Sequence, residues 1–381
     1  MMKSSWLLLA GAALAASCTR NGEVQVVGKS QIKRDEVVVL YPTCARRLPD
    51  GGPWSLSIHG VIFEPETGSL KRGALVAAIR RGLDRSLSPA EVETFDRRVR
   101  LFLVDHERDK TIQVRIGPQT YSFGPTGPDG HFSGRIELAA SQVEKLAAEG
   151  SLRDRWLSLA AVTRPGDDRR FLGRVQLVEP VGLSIISDID DTIKISQVRD
   201  RKALVANTFL RPFQPVPGMA EIYRTLGSAD AVFHYLSASP WQLYEPLADF
   251  LRGEGFPAGT FHLKHFRLTD STVFDVLGSQ EDYKTEVIEE LLAAFPGRRF
   301  VLVGDTGEQD PEIYGRAARK HPVQVVGVFL RNVTDEAAGG PRLASALADV
   351  PPDRWRLFQK PEELRGMASE MAKKYGSGPA K

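Results

Sequence analysis

The rhythm of apolar and polar positions changes near residue 181. Before it, short apolar stretches are separated by turn residues. Val37–Leu40 is a compact apolar run, Trp54 to Phe63 alternates loosely, and Thr111–Ile116 alternates cleanly. Val99–Val104, Gly134–Leu138, Leu157–Val162 and Phe171–Val178 read as further strands, with Asp129-Gly130 and Pro165-Gly166 as turns. Leu75, Val76, Ile79 and Leu83 share one helical stripe, and Ser88-Pro-Ala-Glu91 is a capping box that starts a second helix. A third runs from Ser141 to Glu149 and ends at Gly150. This pattern predicts a β-rich, sandwich-like module over 36–180 with a helical insert.

After 181, strands and helices take turns. Strands are predicted at 183–187, 231–236, 260–263, 299–303 and 323–329. Helices are predicted at Met219–Leu226, Pro240–Arg252, Asp282–Phe295 and Pro311–Lys320. Such alternation predicts an α/β domain with a parallel sheet over 181–335. The extension over 336–381 is less regular; Trp355, Leu357 and Phe358 are expected to dock on that domain, and the last residues from Gly376 to fray.

Composition adds a few bounds. The 381 residues suffice for two domains with separate cores. The 50 basic residues nearly balance the 48 acidic ones, so no global field favours nucleic acid. Arg80, Arg81, Arg97, Arg98 and Arg100 are read as a solvated helix face and strand edge.

At the amino terminus, Lys3 precedes an apolar run from Trp6 to Ala16, shorter than the ~20 residues a spanning helix needs. The run ends at Ala16-Ser17-Cys18, which resembles a bacterial lipoprotein signal, although Leu14 stands one place early and Ala15 holds a position where leucine is commoner. The expectation is a signal peptide over 1–17, lipid on Cys18, a polar tether over 18–35 and an extracytoplasmic, membrane-anchored protein. The alternative is plain secretion after a cut near Ala16. With Cys18 lipidated, Cys44 has no intrachain partner and is read as a buried small residue.

Chemistry concentrates in one stretch. Leu183 to Ile186 is a buried strand, and Asp188, Asp190 and Thr192 follow at its carboxyl end, aimed alike by alternation, whereas Asp191 is turned away. Clustered carboxylates repel one another, and a cation stabilises them. In open α/β sheets that end of a strand is where ligands bind.

Further elements follow in order: Ser237 after the apolar Ala231-Val-Phe233, Lys284, and Gly304-Asp305 through Asp310 after Phe300–Val303. Together with Asp188-x-Asp190-x-Thr192, these resemble the four motifs of haloacid dehalogenase (HAD) phosphohydrolases. The wording Ser187-Asp-Ile-Asp-Asp-Thr-Ile-Lys194, Pro217-Gly-Met219, Tyr235-Leu-Ser-Ala-Ser-Pro-Trp241 and Gly304-Asp-Thr-Gly-Glu-Gln-Asp-Pro-Glu-Ile-Tyr314 is closer still to the actin-patch-protein type of phosphatidate phosphatase, with lipins more distant. The resemblance is strong over 180–332, weaker over 36–180 and absent at both ends.

It implies an HAD-like, Rossmannoid fold and a Mg²⁺-dependent phosphatase. Asp188 would be the nucleophile that forms an aspartyl-phosphate, and Asp190 the general acid and then base. Mg²⁺ would be held by Asp188, the backbone carbonyl of Asp190, Asp305 and Asp310. Ser237 and Lys284 would bind the phosphoryl group, and Thr192 would orient Asp190. The gaps between motifs are too short for a full cap domain, so the site is expected to be capless and open, which suits a phospholipid such as phosphatidate. Another envelope phosphate ester, or a non-catalytic phosphatidate-binding module, stays open. His59, His106 and His131 are too scattered in sequence to define a site, and Glu308, His234, His262, His265 and Arg267 carry no assigned role.

Overall fold

The computed structural model describes residues 30–65, 86–227, 230–265 and 281–376. The expected signal, Cys18, the stripe over 73–83, Arg80, Arg81 and Arg267 lie outside the described residues. No helix among the described residues is long and apolar enough to cross a membrane.

Among the described residues, six parallel strands form the sheet of the second half. Their order is Gly259–Lys264, Val232–Pro240, Leu183–Asp188, Arg299–Asp305, Val325–Arg331 and Trp355–Phe358. The strands are apolar almost throughout because both faces are covered. On one face Ile185, Phe233, Tyr235, Val301 and Val303 pack with helices Met219–Gly227, Tyr244–Gly253 and Arg365–Tyr375. On the other, Ile186, Val232, Leu236, Phe300 and Leu302 meet Glu281–Ala294, Asp310–Lys320 and Pro341–Ala346. From the central strand the chain moves outward to Val232–Pro240 and Gly259–Lys264, then returns to the opposite side with Arg299–Asp305. The carboxyl ends of Leu183–Asp188 and Arg299–Asp305 therefore flank the point where strand order reverses, the place where open α/β sheets bind ligands.

Trp355–Phe358 goes further than the docking expected of it, adding the sixth strand beside Val325–Arg331. Arg201–Phe209, a helix that the sequence reading missed, starts at Asp200, whose carboxylate accepts from the backbone N–H groups of Lys202 and Ala203. Arg298 fixes the start of the central strand. Its buried guanidinium donates to Ser184 Oγ and to the carbonyls of Glu179, Val181 and Leu183.

Among the described residues, ten strands of the first half join in one branched hydrogen-bonded network. The long strand Trp54–Pro65 is its branch point, pairing with Val37–Leu40, Thr43–Arg47, Val104–His106 and His131–Leu138. Ile32, Leu56, Ile58, Val114, Leu157 and Val175 lie in its own core. The separation from the second half is incomplete, however, because Tyr41, Val61, Phe95, Val99 and Phe102 belong to the same packed cluster as Ile185.

That sharing corrects one expected strand. Val99–Val104 is not extended: the helix Pro89–Val99 runs on into the 3₁₀ turn Arg100–Phe102, and only Val104–His106 is strand. The Ser88–Glu91 capping box forms as expected. Phe95, Val99 and Phe102 recur at helical spacing and are buried, so packing favours the helix over the β-propensity of the run. Arg98 is likewise not solvated. It is 5% exposed, donates to the carbonyls of Asn207 and Thr208, and lies over the Phe213 ring. Cys44 is half-buried in Thr43–Arg47, where burial pushes its thiol up to about 12.

Candidate active site

The central strand ends with Asp188, and the chain then folds back so that Ile193 and Lys194 donate their backbone N–H groups to the Ile189 carbonyl. Asp191 holds this loop in shape. It adopts a left-handed φ of 54°, and its carboxylate accepts from the backbone N–H groups of Ser196, Gln197 and Val198 at 2.7–2.8 Å. It is turned to the backbone and plays no part in the acid cluster.

Asp188, Asp305 and Asp310 are each at most 1% exposed, and one carboxylate oxygen of each lies within 4.8 Å of the others. Lys284, near the start of the Glu281–Ala294 helix, reaches in between them. Its Nζ lies 2.8 Å from Asp188 Oδ1 and 2.7 Å from Asp310 Oδ1, with Glu308 Oε2 at 3.5 Å. Asp188 Oδ2 is buried and accepts no hydrogen bond among the described residues. The Asp305 N–H donates to Asp310 Oδ2 at 3.3 Å. Gly304 is required next to it, since a Cβ there would collide with the Asp310 carboxylate and the Tyr314 ring.

Three buried carboxylates against one ammonium leave an excess of negative charge. Burial pushes Asp188 well above the carboxylate range; Lys284 opposes this while Asp310 and Asp305 add to it. Asp305 is raised by burial and by Asp310. Lys284, despite burial, is held well above the usual lysine value by Asp188 and Asp310. A divalent cation reverses the balance on the carboxylates by favouring their charged form. The donor set fits a hard cation such as Mg²⁺: it is all oxygen, and one oxygen is unpartnered and desolvated.

Asp190 faces a different group. Its Oδ1 lies 2.6 Å from Lys194 Nζ and accepts from Ser196 Oγ at 2.7 Å. Oδ2 accepts from Ser237 Oγ at 2.9 Å and Ser239 Oγ at 3.1 Å. Burial alone would raise its pKa, but the Lys194 charge and the hydroxyl donors together bring it well below the ordinary value.

The sequence-predicted residues thus divide into two sets. Asp188, Lys284, Asp305 and Asp310 come together, and Asp190 with Ser237 stands beside them. Ser237, expected on a phosphoryl oxygen, donates to Asp190 here. Thr192, expected to orient Asp190, instead donates to Asp305 Oδ2 at 3.4 Å. The residues that hold Asp190 are Lys194, Ser196, Ser237 and Ser239. Lys194 and Ser239 stood inside the quoted motifs without a role; their signal was a lysine four places after an acid and a second serine two after the first. Arg342 had no such signal. From the C-terminal extension it donates to the carbonyls of Thr306 and Glu308 and pairs with Glu312 and Glu336, which fixes the loop after Asp305. Glu308, also without a role in the reading, lies at the edge of the lysine's reach.

A doubly covered parallel sheet with acids and a lysine at its switch point defines an α/β domain with a buried acid cluster at its strand ends. Residues 183–332 match the family described as Phosphatidate phosphatase APP1, catalytic domain. That span holds every residue just placed in the site except Arg342 and its partner Glu336. Among curated proteins, phosphatidate phosphatase APP1 of Saccharomyces cerevisiae is 34% identical over 191 residues, which cover 49% of this chain and 32% of that protein. The uncharacterized protein C29B5.04c of Schizosaccharomyces pombe is 30% identical over 175 residues, 45% of this chain and 28% of its own length. The chain therefore matches about a third of the length of these relatives.

Proposed function

We propose that the protein is a Mg²⁺-dependent phosphatidate phosphatase of HAD type, with an open, capless site and a sandwich-like N-terminal module. The observation that carries this reading is Asp188. One of its oxygens is held by Lys284, and the other is buried, unpartnered and beside two further carboxylates, within a span similar to a phosphatidate phosphatase catalytic domain.

Asp188, the Asp190 carbonyl, Asp305 and Asp310 would hold Mg²⁺, which when bound neutralises the repulsion between carboxylate and phosphate. Lys284 keeps Asp188 oriented and adds positive charge where the phosphoryl oxygens would sit. Asp188 attacks phosphorus, the ester oxygen leaves as diacylglycerol, and an aspartyl-phosphate remains. Asp190 protonates the leaving oxygen and then takes a proton from the water that hydrolyses the acyl phosphate. Its lowered pKa keeps it in the charged, proton-accepting form that the second role needs. For the first, a phosphate anion placed beside it opposes its negative charge and raises its affinity for the proton. Ser237, already beside Asp190, can turn its hydroxyl to the phosphoryl group.

Phe209 and Trp241 are core residues and Phe213 lies under Arg98, so none of them forms an exposed apolar rim for acyl chains. Lipid on Cys18 would instead bring the enzyme to its substrate by raising effective concentration. Cys18→Ala should then move the protein from the membrane to the soluble fraction, and wild type should take up labelled palmitate in a bacterial host. The deciding assay compares kcat/KM for phosphatidate in mixed micelles with that for glycerol phosphate and para-nitrophenyl phosphate. Higher efficiency on phosphatidate is the expected outcome. Equal efficiency would point to another envelope ester, and micelle binding without turnover to a binding module.

A further inference from the structure

Outside the acid site, three histidines from distant parts of the chain converge. His59 comes from Trp54–Pro65, His131 begins His131–Leu138, and His265 directly follows Gly259–Lys264 of the parallel sheet. One ring nitrogen of each lies within 4.8 Å of the others. His59 Nε2 and His131 Nδ1 are 3.0 Å apart, and the His131 and His265 ring centroids are 4.4 Å apart. Ligand nitrogens on a tetrahedral zinc stand about 3.3–3.4 Å apart, so small side-chain rotations bring this set to ligating distance.

We propose that His59, His131 and His265 form a site for a divalent transition metal of the zinc class, with Asp129 as the carboxylate that orients His265. The donor chemistry separates it from the acid site: three imidazoles suit zinc, whereas oxygens suit magnesium. Asp129 Oδ2 lies 3.1 Å from His265 Nδ1, which leaves Nε2 for the metal, and a metal-bound histidine ordinarily has such an outer carboxylate. Asp129 Oδ1 also accepts from the His131 N–H at 3.3 Å, so one carboxylate holds two of the three ligands in place.

The surroundings indicate what the metal does. Tyr41 packs on His59 and His131, and Trp241 on His59, so aromatic rings close the inner side. Trp241 follows directly on the strand that carries Ser237 and Ser239. The outer side, at His265, is 53% exposed, which gives an ion its entry path and leaves a fourth position to water. Bound there, the metal clasps the β-rich half to the edge of the parallel sheet beside Trp241.

The test uses the purified full chain, stripped with a chelator and kept in excess Mg²⁺ so that the acid site is occupied. Titration with Zn²⁺ by calorimetry should show one equivalent bound, and Co²⁺ should give the visible d–d absorption of a nitrogen-ligated, near-tetrahedral ion. His265→Ala, at an exposed position, should lose both signals while its metal-free melting temperature matches that of wild type. Asp129→Asn should weaken Zn²⁺ binding by about 10–100-fold. No Zn²⁺ uptake by wild type would overturn the proposal, as would unchanged uptake by His265→Ala. If that variant does not fold, the Co²⁺ spectrum of wild type decides, since oxygen-only ligation would count against the site.

Discussion

The acid site and the histidine cluster both gather metal-ligating groups, but by opposite routes. Asp188, Asp305 and Asp310 lie at the ends of adjacent parallel strands and the helix start that follows, within one domain, and are almost fully buried. The histidines come from two halves of the molecule, carry nitrogen donors, and reach the surface at His265. Strand-end chemistry is set by the topology of a single sheet, which places the end of every parallel strand on one edge. The cluster depends on the packing of one module against another. A site of the first kind survives as local motifs, whereas one of the second kind leaves only scattered residues.

Four measurements test that contrast. The largest effect is expected from Asp188→Asn, which should lower turnover by at least about 10⁴-fold and abolish the phosphoenzyme. Its melting temperature should not fall, because a desolvated like charge is removed and the remaining oxygen can still accept from Lys284. Full activity would end the nucleophile assignment.

Lys194→Met comes next. It leaves Asp190 without its ion pair among hydroxyls, and breaking a buried pair in this way costs about 3–5 kcal/mol. Loss of the controlled acid and base should lower kcat by about 10²-fold or more. Denaturant titration and steady-state kinetics read the two effects separately, and an unchanged kcat would show that Asp190 works without its lysine.

Third, in excess Mg²⁺, adding Zn²⁺ at ~100 times its Kd should stabilise wild type by about 2.7 kcal/mol and leave His265→Ala unchanged. Thermal unfolding reads this directly. A shift of equal size in both proteins would place the ion elsewhere.

The fourth measurement concerns a second histidine pair, outside the proposed metal site. His234 is fully buried with Nδ1 2.8 Å from Thr260 Oγ1, and His262 Nε2 is 3.1 Å from the same hydroxyl. Burial pushes His234 well below the imidazole range and His262 down to about 4. The unfolded chain takes up protons near 6.5, where the folded chain does not. Stability is therefore complete above that value and declines as pH falls toward 4, by up to ~1.4 kcal/mol per unit for His234. A His234→Gln variant with the same acid profile as wild type would exclude this pair as the cause.

Much of the parallel-sheet half was legible in the chain because its signals are local. Apolar runs such as Phe300–Val303 and the acids just after them fix both strand and strand end within a few residues. The β-rich half was harder to read. Gln119–Phe123 and Thr43–Arg47 are strands only through their partners, and Val99–Val104 has an apolar pattern that fits strand or helix. Burial of Phe95, Val99 and Phe102 against the other half decided for the helix.

By itself, the sequence determined the alternation of strand and helix, the strand ends that gather acids and the choice of Asp188, Asp190, Lys284, Asp305 and Asp310 as the candidates for the proposed chemistry. Tertiary structure alone decided which partner each of them meets: Lys194 and Ser239 on Asp190, Thr192 on Asp305, Arg342 on the loop after Asp305, and His59 with His131 and His265. The physical reason is range. Backbone periodicity and charge spacing act over a few residues, whereas the position of a side chain in a buried site is set by packing between segments far apart in the chain.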